Sequence, residues 1–545
     1  MRLAWWLPVA LAAVYVLLIL VNLPGILNGV WLSSDTAIDA VLAHMAQHAP
    51  AGALLSTGDF PHYETIAFAL LTRSLSFYRP LWMLVPVLAA IVAVAAVGWS
   101  VDRAFGRWPA ALSVAVLVCF GGGGHAMITA GGLATIFSYD SHGNSVVTAA
   151  LCGAALTYLL PRATTLPASR LVAAALLIGV LGGLPLAGDT LYLAWGLLPL
   201  VVVTVLCAWR GPQRALPRVL GFGLGTILVT GVSAAVFAAI MRGQGVRGYA
   251  ASFHTYLTFA TPSQLVTNFE TLAHALPLLG GADFYGASAS LGSELQLAAA
   301  MLLFVGLVAV LARVRSLVAA APARPEGGGE PPTERFVHVT WWSTVLVAGI
   351  VVVLIGSPNP ISTDGRYVLG PFLAIAALLP LLLNRGLGWR LLVSAGATVF
   401  VANALFQFHP GVIRGIGRGY TTTATARALA DYARREHVAV GYGDYWNSIN
   451  LTWNSDFRVD VLPVQTCNTR TARLCTFYEI SLSGWNRPRP GVRSMLVADP
   501  HGPLVKRAPR NLGRPLATRR IGSLVVYVYP YDIASRFKYD TKLTY

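Results

Sequence analysis

The first carboxylate in the chain with a position suited to chemistry is Asp35, in the segment WLSSDTAID that follows an N-terminal apolar run. A carboxylate held at a membrane surface can act as a general base by accepting a proton from a reacting hydroxyl. The same position also suits a helix cap, because Ser33, Ser34 and Asp35 all belong to residue types that bind the first backbone amides of a helix. From the local sequence, both interpretations stay open.

Two further acids stand close to apolar runs. Asp189, in LAGDTLY, lies between two such runs with almost no loop, and Glu64, in HYETIAF, lies beside His62. A charge at the depth expected for Asp189 is costly, which indicates a functional role. The alternative is an acid that caps a helix at the membrane interface.

Asp140 and His142 form a pair in the segment FSYDSHGN, directly before another apolar run. A carboxylate and an imidazole two positions apart could hold a metal ion or orient a diphosphate. Gly143 and Asn144, which follow the pair, instead favour a solvated turn.

The composition limits the classes of protein that could use these residues. Of the 545 residues, 55% are hydrophobic and 11% are charged, and the formal net charge is +16. So few charges exclude a soluble globular enzyme and a disordered chain. They indicate a polytopic membrane protein whose positive charge suits anionic head groups or phosphates, with no nucleic acid as partner. The chain also lacks a GxxxxGK[ST] segment, which argues against an ATP-driven pump and against nucleotide-sugar donors.

The sequence predicts about eleven transmembrane helices, because backbone polar groups in lipid must bond within their own segment. The apolar runs lie near 5–23, 81–100, 109–124, 145–160, 171–188, 190–208, 219–241, 295–312, 338–356, 367–384 and 390–407. Arg residues are concentrated in alternate loops, which predicts a cytoplasmic N-terminus and an extracytoplasmic C-terminus by the positive-inside rule. We interpret the first run as a retained anchor rather than a signal peptide.

A change in composition after residue 407 divides the chain into two predicted domains. Residues 1–407 form the transmembrane domain with long outer loops at 24–80 and 242–293, and residues 408–545 form an outer domain. This last part holds 20 Lys and Arg against 9 Asp and Glu, so it carries +11 of the net charge. A helical spacing at 422–436 and strand-like segments (VAVGYG, RVDVLPV, SMLVAD and SLVVYVYP) predict an extracytoplasmic α/β domain.

The cysteines agree with this division. Cys119, Cys152 and Cys207 fall in apolar runs, where we expect buried thiols. Cys467 and Cys475 lie in the outer domain, where an oxidising compartment favours a disulfide. A metal pair is the alternative, although no further Cys or His stands at ligand spacing.

Three short segments, in this order along the chain, resemble motifs of the GT-C superfamily of integral membrane glycosyltransferases. They are Asp35-Thr36 with Asp39 one helical turn on, DGRY at 364–367 before a late span, and GYGDYW at 441–446. The arrangement of spans, long first outer loop and outer C-terminal domain also resembles this superfamily, which includes protein O-mannosyltransferases and lipid A aminoarabinose transferases. Its members use sugars linked to polyprenyl phosphate.

The chemistry of glycosyl transfer, together with the resemblance, gives each candidate residue an expected role. Asp35 is expected to be the general base of an inverting transfer to an acceptor hydroxyl, and Arg366 is expected to bind the donor phosphate with its planar fork of donors. The other expected substrate-binding residues are Glu64, Asp140, His142, Asp189 and Tyr367. A divalent metal is a possible cofactor without an assigned ligand set, and the acceptor is a glycan, lipid or protein at a bacterial inner membrane.

A transporter or flippase for a lipid-linked substrate is the competing interpretation. It predicts charges near the middle of spans and broken helices in two matching halves. The candidate Asp and Arg residues instead gather at the outer ends of spans, which favours chemistry at the membrane surface.

Overall fold

A computed structural model describes most of the membrane helices and of the C-terminal domain. The described residues are 2–24, 27, 37–38, 40–41, 44, 55–57, 79–119, 141–243, 246–248, 259–279, 291–319, 332–356, 368–383, 386–406, 408, 422–468, 473–477, 481–482, 487–502, 504 and 511–537. The predicted amphipathic stretches of the first outer loop lie largely outside them.

The helices of this part of the chain follow the apolar runs. They are α1 Arg2–Val21, α2 Arg79–Phe105, α3 Arg107–Val118, α4 Ser141–Leu159, α5 Ala168–Gly188, α6 Leu198–Arg210, α7 Leu216–Gly243, α8 Pro262–Leu279, α9 Leu291–Ala319, α10 Glu334–Ile355, α11 Leu369–Leu378, α12 Pro380–Leu383, α13 Leu387–Phe406, α14 Thr423–Arg435 and α15 Tyr445–Asn454. A π-helical segment, Leu193–Leu197, precedes α6, and 3₁₀ turns lie at Leu160–Arg162, Gln213–Ala215 and Ile533–Arg536.

Each predicted span coincides with an apolar helix. In the part of the chain that the structure describes, eight helices are long and apolar enough to cross a membrane, and three apolar helices are shorter, at Trp6–Val21, Arg107–Val118 and Leu369–Leu383. The chain is therefore a multi-pass membrane protein, as its composition predicts. The number of eleven crossings stays a prediction, because three of the helices are short for the roughly 30 Å hydrocarbon core.

The helical unit, which by contacts comprises 1–26, 84–238 and 254–413, owes its close packing to small residues at helix contacts. A Cβ atom added to Gly349 of α10 would lie 2.6 Å from Pro371 of α11, and one added to Gly370 would lie 2.8 Å from the Trp195 ring. Only glycine allows such an approach, as is common between membrane helices. Trp195 is completely buried as a result.

The strands form two sheets in the second unit, which by contacts comprises 27–83, 239–253 and 414–545. Their bounds are β1 Leu55–Thr57, β2 Val246–Gly248, β3 Val438–Gly443, β4 Val461–Asn468, β5 Arg473–Thr476, β6 Ser481–Leu482, β7 Arg493–Ala498, β8 Ala517–Ile521 and β9 Leu524–Tyr529. The larger sheet has the order β5-β4-β3-β7-β9-β8, with β3 parallel to both β4 and β7. Helices α14 and α15 contribute Leu429 and Leu451 to its core.

The smaller sheet joins three distant parts of the chain in the order β2-β1-β6. Strand β1 comes from the first predicted outer loop, β2 from the second, and β6 from the C-terminal residues. The predicted boundary at 407/408 divides the chain in sequence and stays a prediction. By contacts, 27–83 and 239–253 group with the C-terminal residues.

Candidate active site at one end of the helical bundle

Most of the predicted site residues lie outside the described residues. These are Asp35, Glu64, Asp140, Arg366 and Tyr367, together with the side chain of His142, whose backbone begins α4. Their roles stay predictions. Asp189 is described completely, and its surroundings define one end of the bundle. His142, in the first turn of α4, and Tyr367, two positions before α11, are linked in sequence to helices that meet there.

Asp189 is a buried acid between two helices, 4% exposed. Its Oδ1 accepts a hydrogen bond from the Leu191 backbone N–H at 2.9 Å, and its Oδ2 accepts one from the Ser145 hydroxyl. The backbone at Asp189 is extended and ends α5, so the Leu191 bond satisfies an amide at the start of the next helix. The capping interpretation is thus part of its role, and the Ser145 contact adds a link to another helix.

Ser145 was not predicted as a site residue. It follows His142 by three positions in α4 and is completely buried. The contact therefore brings Asp189 to the first turns of the helix that contains the predicted His142 position. A lone serine at the start of an apolar run was the only signal in the sequence.

The turn after Asp189 has unusual helical geometry. Residues Leu193–Leu197 form a π-helical segment, a rare geometry that is frequent at functional sites. The Tyr192 hydroxyl lies 3.6 Å from the Cys152 sulfur of α4, and Gly196 packs against the Tyr192 ring. These contacts hold the segment that follows Asp189 in one conformation.

Trp195, within the π-helical segment, connects this turn with α10 and α11. A Cβ atom on Gly349 or Gly370 would lie within 3.0 Å of its indole ring. Helix α11 begins two positions after Tyr367 in the chain, and Val368 and Leu369 are buried. The structure thus brings the segment that follows Asp189 against the helix that follows the predicted Arg366 and Tyr367.

Helix α8, which belongs to the predicted second outer loop, contacts the C-terminal end of α10. The Asn268 side chain of α8 donates hydrogen bonds to the carbonyl oxygens of Leu354 and Gly356, at 2.9 and 2.8 Å. These bonds satisfy carbonyls that the end of α10 leaves without helical partners. Asn268 carried no sequence signal, whereas Thr261 and Gln264, which form a reciprocal capping pair at the start of α8, match a known pattern.

Arginines of the arginine-rich loops form contacts at the opposite end of the bundle. Glu334, at the start of α10, accepts hydrogen bonds from Arg103 and from Arg162, the latter at 2.6 Å. Arg218 donates to the Thr164 carbonyl at 2.7 Å. Loops that are separated by pairs of helices therefore meet at one end, as the alternating arginine pattern predicts.

In the second unit, the GYGDYW segment is the turn from β3 into α15. Asp444 caps this helix by accepting hydrogen bonds from the Asn447 backbone N–H at 3.1 Å and from its side-chain amide at 2.9 Å. Burial raises the pKa of the Asp444 carboxyl; the hydrogen bonds from Asn447 oppose this effect and the nearby Asp499 adds to it. Tyr445 stacks on Phe477 with 5.0 Å between ring centres.

The cysteines divide as expected. Cys119, Cys152 and Cys207 are free and buried, and Cys475 is disulfide-bonded. Cys467 is the remaining cysteine of the five, but its side chain lies outside the described ones, so the pairing of Cys467 with Cys475 stays a prediction. In the part of the chain that the structure describes, no group of three or more His, Cys, Asp or Glu side chains could hold a metal ion.

Comparisons with known proteins identify the fold. No protein-family model matches the sequence, and no curated protein does. Among solved structures, the chain is similar to ArnT from Cupriavidus metallidurans bound to undecaprenyl phosphate, with a TM-score of 0.55 and 12% identity over 96% of this chain and 98% of the other. Apo ArnT gives 0.43 with 15% identity over the same shares. The Archaeoglobus fulgidus oligosaccharyltransferase in complex with Zn and sulfate gives 0.41 with 12% identity over 85% of this chain and 64% of that one.

The likeness to ArnT extends over nearly the whole of both chains. It confirms the GT-C fold that the sequence motifs and the arrangement of spans predict. The chain thus has a fold similar to that of ArnT, with a C-terminal sheet domain. At this low identity, the comparison establishes the fold alone.

Proposed function

We propose that the protein is a glycosyltransferase that moves a sugar from a polyprenyl-phosphate donor to an acceptor hydroxyl on the outer face of a bacterial inner membrane. The observation that carries this proposal is the fold shared over 96% of the chain with a protein whose structure holds undecaprenyl phosphate. The few charges among the apolar helices and the buried acid at one end of the bundle agree with chemistry at the membrane surface.

The pairing of strands supports the proposed sidedness. Strands cannot pair across a bilayer, so even numbers of crossings must separate β1 from β2 and β2 from β6. Among the described residues, six apolar helices lie between β1 and β2, and four lie between β2 and β6. Both numbers are even, which agrees with the proposed crossings and with one side of the membrane for the three strands. By the positive-inside rule, the loops that are poor in arginine, which include those with β1 and β2, are proposed to be extracytoplasmic.

The proposed reaction is a direct displacement at the anomeric carbon. The acceptor oxygen forms a bond to this carbon while the bond from carbon to the phosphate oxygen breaks, and the polyprenyl phosphate leaves with the electron pair. Asp35 accepts the proton of the acceptor hydroxyl. Arg366 stabilises the negative charge on the departing phosphate with two parallel hydrogen bonds. This displacement inverts the configuration of the sugar.

Asp189 serves as a positioning residue in this proposal. Its bonds to Ser145 and Leu191 fix the start of α4 relative to the turn that precedes α6. Trp195 extends this contact to α10 and α11. Three chain segments next to predicted substrate-binding residues are thus held together, which is the support that a preorganised site needs. Glu64, Asp140, His142 and Tyr367 complete the proposed site. Titration of the purified protein with divalent metal ions tests whether this site holds one.

The proposal is tested by mass spectrometry of lipid-linked sugars and surface glycans from cells with and without the gene. We expect one polyprenyl-phosphate sugar to accumulate and the same sugar to be missing from one class of glycan, lipid or protein. Cells that keep the full glycan profile and the normal donor level would contradict the proposal.

The flippase alternative gives a different result in the same cells. If the protein moves lipids instead of transferring sugars, purified protein in detergent cannot transfer the sugar from the accumulated donor to extracted acceptor. A glycosyltransferase does so without a membrane. Failure of this transfer, with intact protein and both substrates present, favours the flippase.

A further inference from the structure

The helical unit contains an apolar groove that the proposed reaction does not use. It lies between α9, α11, α12 and α13 and is partly open to the surface. Its walls include Gly306 of α9, Leu382 of α12 and Trp389 and Val393 of α13. Val305 and Leu392, which also line it, are exposed on the face that meets lipid.

The groove belongs to the arginine end of the bundle. Along α13 its lining extends from Trp389 to Phe400, eleven residue steps that correspond to about 16 Å at the helical rise. This length is close to the thickness of one leaflet, half of the roughly 30 Å hydrocarbon core. The groove therefore matches an acyl chain that enters from one leaflet.

Two arginines lie close in sequence to groove-lining residues at the arginine end of the bundle. Arg313 follows the lining residue Ala309 by one helical turn, and Arg390 follows the lining residue Trp389 directly. The Arg390 Nε donates to the Leu383 carbonyl at 2.9 Å, which holds its guanidinium beside the end of α12. Arg313 interacts electrostatically with Arg335, so a second positive charge lies close to it. Positive charge at the membrane surface attracts anionic head groups.

We propose that this groove binds one acyl chain of an anionic glycerophospholipid, with its head group at Arg313 and Arg390. Lipid fills a lipid-facing apolar groove in a membrane, and the arginines select an anionic head group. The site lies at the end of the bundle opposite Asp189. It is therefore separate from the proposed donor site, and it holds whether or not the chain transfers sugar.

The test is native mass spectrometry of the full-length protein in detergent with phosphatidylglycerol or phosphatidylcholine of the same chains. We expect one phosphatidylglycerol to be retained under conditions that remove phosphatidylcholine. In Gly306→Phe, retention should fall about tenfold, the change that the lost burial of about two methylene groups gives. A Cβ atom on Gly306 meets nothing within 4 Å, so the new ring can fill the groove.

Gly225→Phe is the matched control, because Gly225 is also a glycine within a membrane helix with nothing within 4 Å of an added Cβ, and it does not line the groove. Its retention should equal that of the wild type. If Gly306→Phe does not fold by size-exclusion chromatography, Gly306→Leu makes the same comparison with a smaller side chain. Equal retention by the wild type and the folded groove variant would overturn the proposal.

Substitutions of the two arginines test the proposed contact with the lipid head group. Arg313→Gln and Arg390→Gln should each lower phosphatidylglycerol retention about fivefold and leave phosphatidylcholine unchanged. Equal retention of the two lipids by the wild type would overturn this selectivity. Undecaprenyl phosphate is the competitor: if it displaces phosphatidylglycerol in the wild type and loses its own binding in Gly306→Phe, the groove belongs to the donor lipid and the proposal is wrong.

Discussion

At one end of the helical bundle Glu334 lies between two guanidinium groups, whereas at the other Asp189 accepts hydrogen bonds from a hydroxyl and a backbone amide. The Glu334 side chain is 20% exposed, and Asp189 is buried. Solvent and salt reach the first group, so its energy is that of a screened ion pair. The second depends on fixed dipoles within the protein, which do not rearrange when charge moves nearby.

The contrast indicates which end of the bundle suits a reaction site. An end stabilised by exchangeable ion pairs suits contact with head groups. An end in which an acid is held by fixed donors suits a site that must keep its geometry during a reaction. Substitutions at each end can separate these two kinds of stabilisation.

Asp35→Asn should lower the rate of sugar transfer by about 10²–10⁴-fold, the usual contribution of a general base. The measurement is turnover of purified protein with the accumulated donor. Glu294→Gln, an exposed acid in the first turn of α9, is the control and should keep normal turnover. Unchanged turnover in folded Asp35→Asn would remove Asp35 from the mechanism.

Asp189→Ala should reduce the free energy of unfolding by about 2–4 kcal/mol, because it leaves the Ser145 hydroxyl and the Leu191 amide buried without this acceptor. Thermal unfolding in detergent measures the change at low and high salt. Since the acid is buried, the loss should be nearly independent of salt. A loss that disappears in high salt would contradict the proposed difference between the two ends.

Arg366→Ala should weaken binding of undecaprenyl phosphate about tenfold to a hundredfold, as expected when a hydrogen bond to a charged group worth about 1.5–3 kcal/mol is lost. Binding by titration calorimetry measures the effect. Arg103→Ala, at the opposite end, is the comparison and should leave this affinity unchanged. Equal affinity of wild type and Arg366→Ala would reject the phosphate-binding role.

Glu334→Gln should cost about 1 kcal/mol of stability at low salt, because Arg103 and Arg162 then face each other without the carboxylate. The partial exposure of all three side chains keeps the effect small. The loss should shrink as salt is raised, and sugar transfer should stay normal. A salt-independent loss larger than that of Asp189→Ala would reverse the comparison.

Asp444 extends the comparison to a partly buried acid outside the helical unit. Its pKa is raised in the folded protein, so between the ordinary and the raised pKa the folded state binds more protons than the unfolded state. Stability therefore falls as the pH rises through this window. Asp444→Asn should make the free energy of unfolding less dependent on pH in this window. Each tenfold difference in proton affinity between the folded and unfolded states corresponds to about 1.4 kcal/mol. Thermal unfolding between pH 4 and pH 7 measures it, and an unchanged slope would contradict the assignment to Asp444.

The C-terminal domain shows which helices and strands local sequence patterns predict correctly and which they miss. Strand β3 coincides with the predicted VAVGYG segment, and α14 with the predicted helical spacing. The segment RVDVLPV was predicted from position 458, but β4 begins at Val461, after Asp456 and Phe457 turn the chain with φ of 57° and 56°. Strand β8 was missed because three consecutive exposed residues, Thr518 to Arg520, hide the alternation of an edge strand.

The apolar helices, the alternation of arginine-rich loops and the resemblance to GT-C enzymes were all predictable from local sequence, because hydropathy and charge are properties of short segments. The tertiary structure alone decided that Asp189 meets Ser145, that Trp195 fits between Gly349 and Gly370, and that β1, β2 and β6 form one sheet. These contacts join residues far apart in the chain. Which residues meet depends on how helices of similar hydropathy pack against each other. The shapes of the facing side chains decide this packing, and a hydropathy pattern does not contain those shapes.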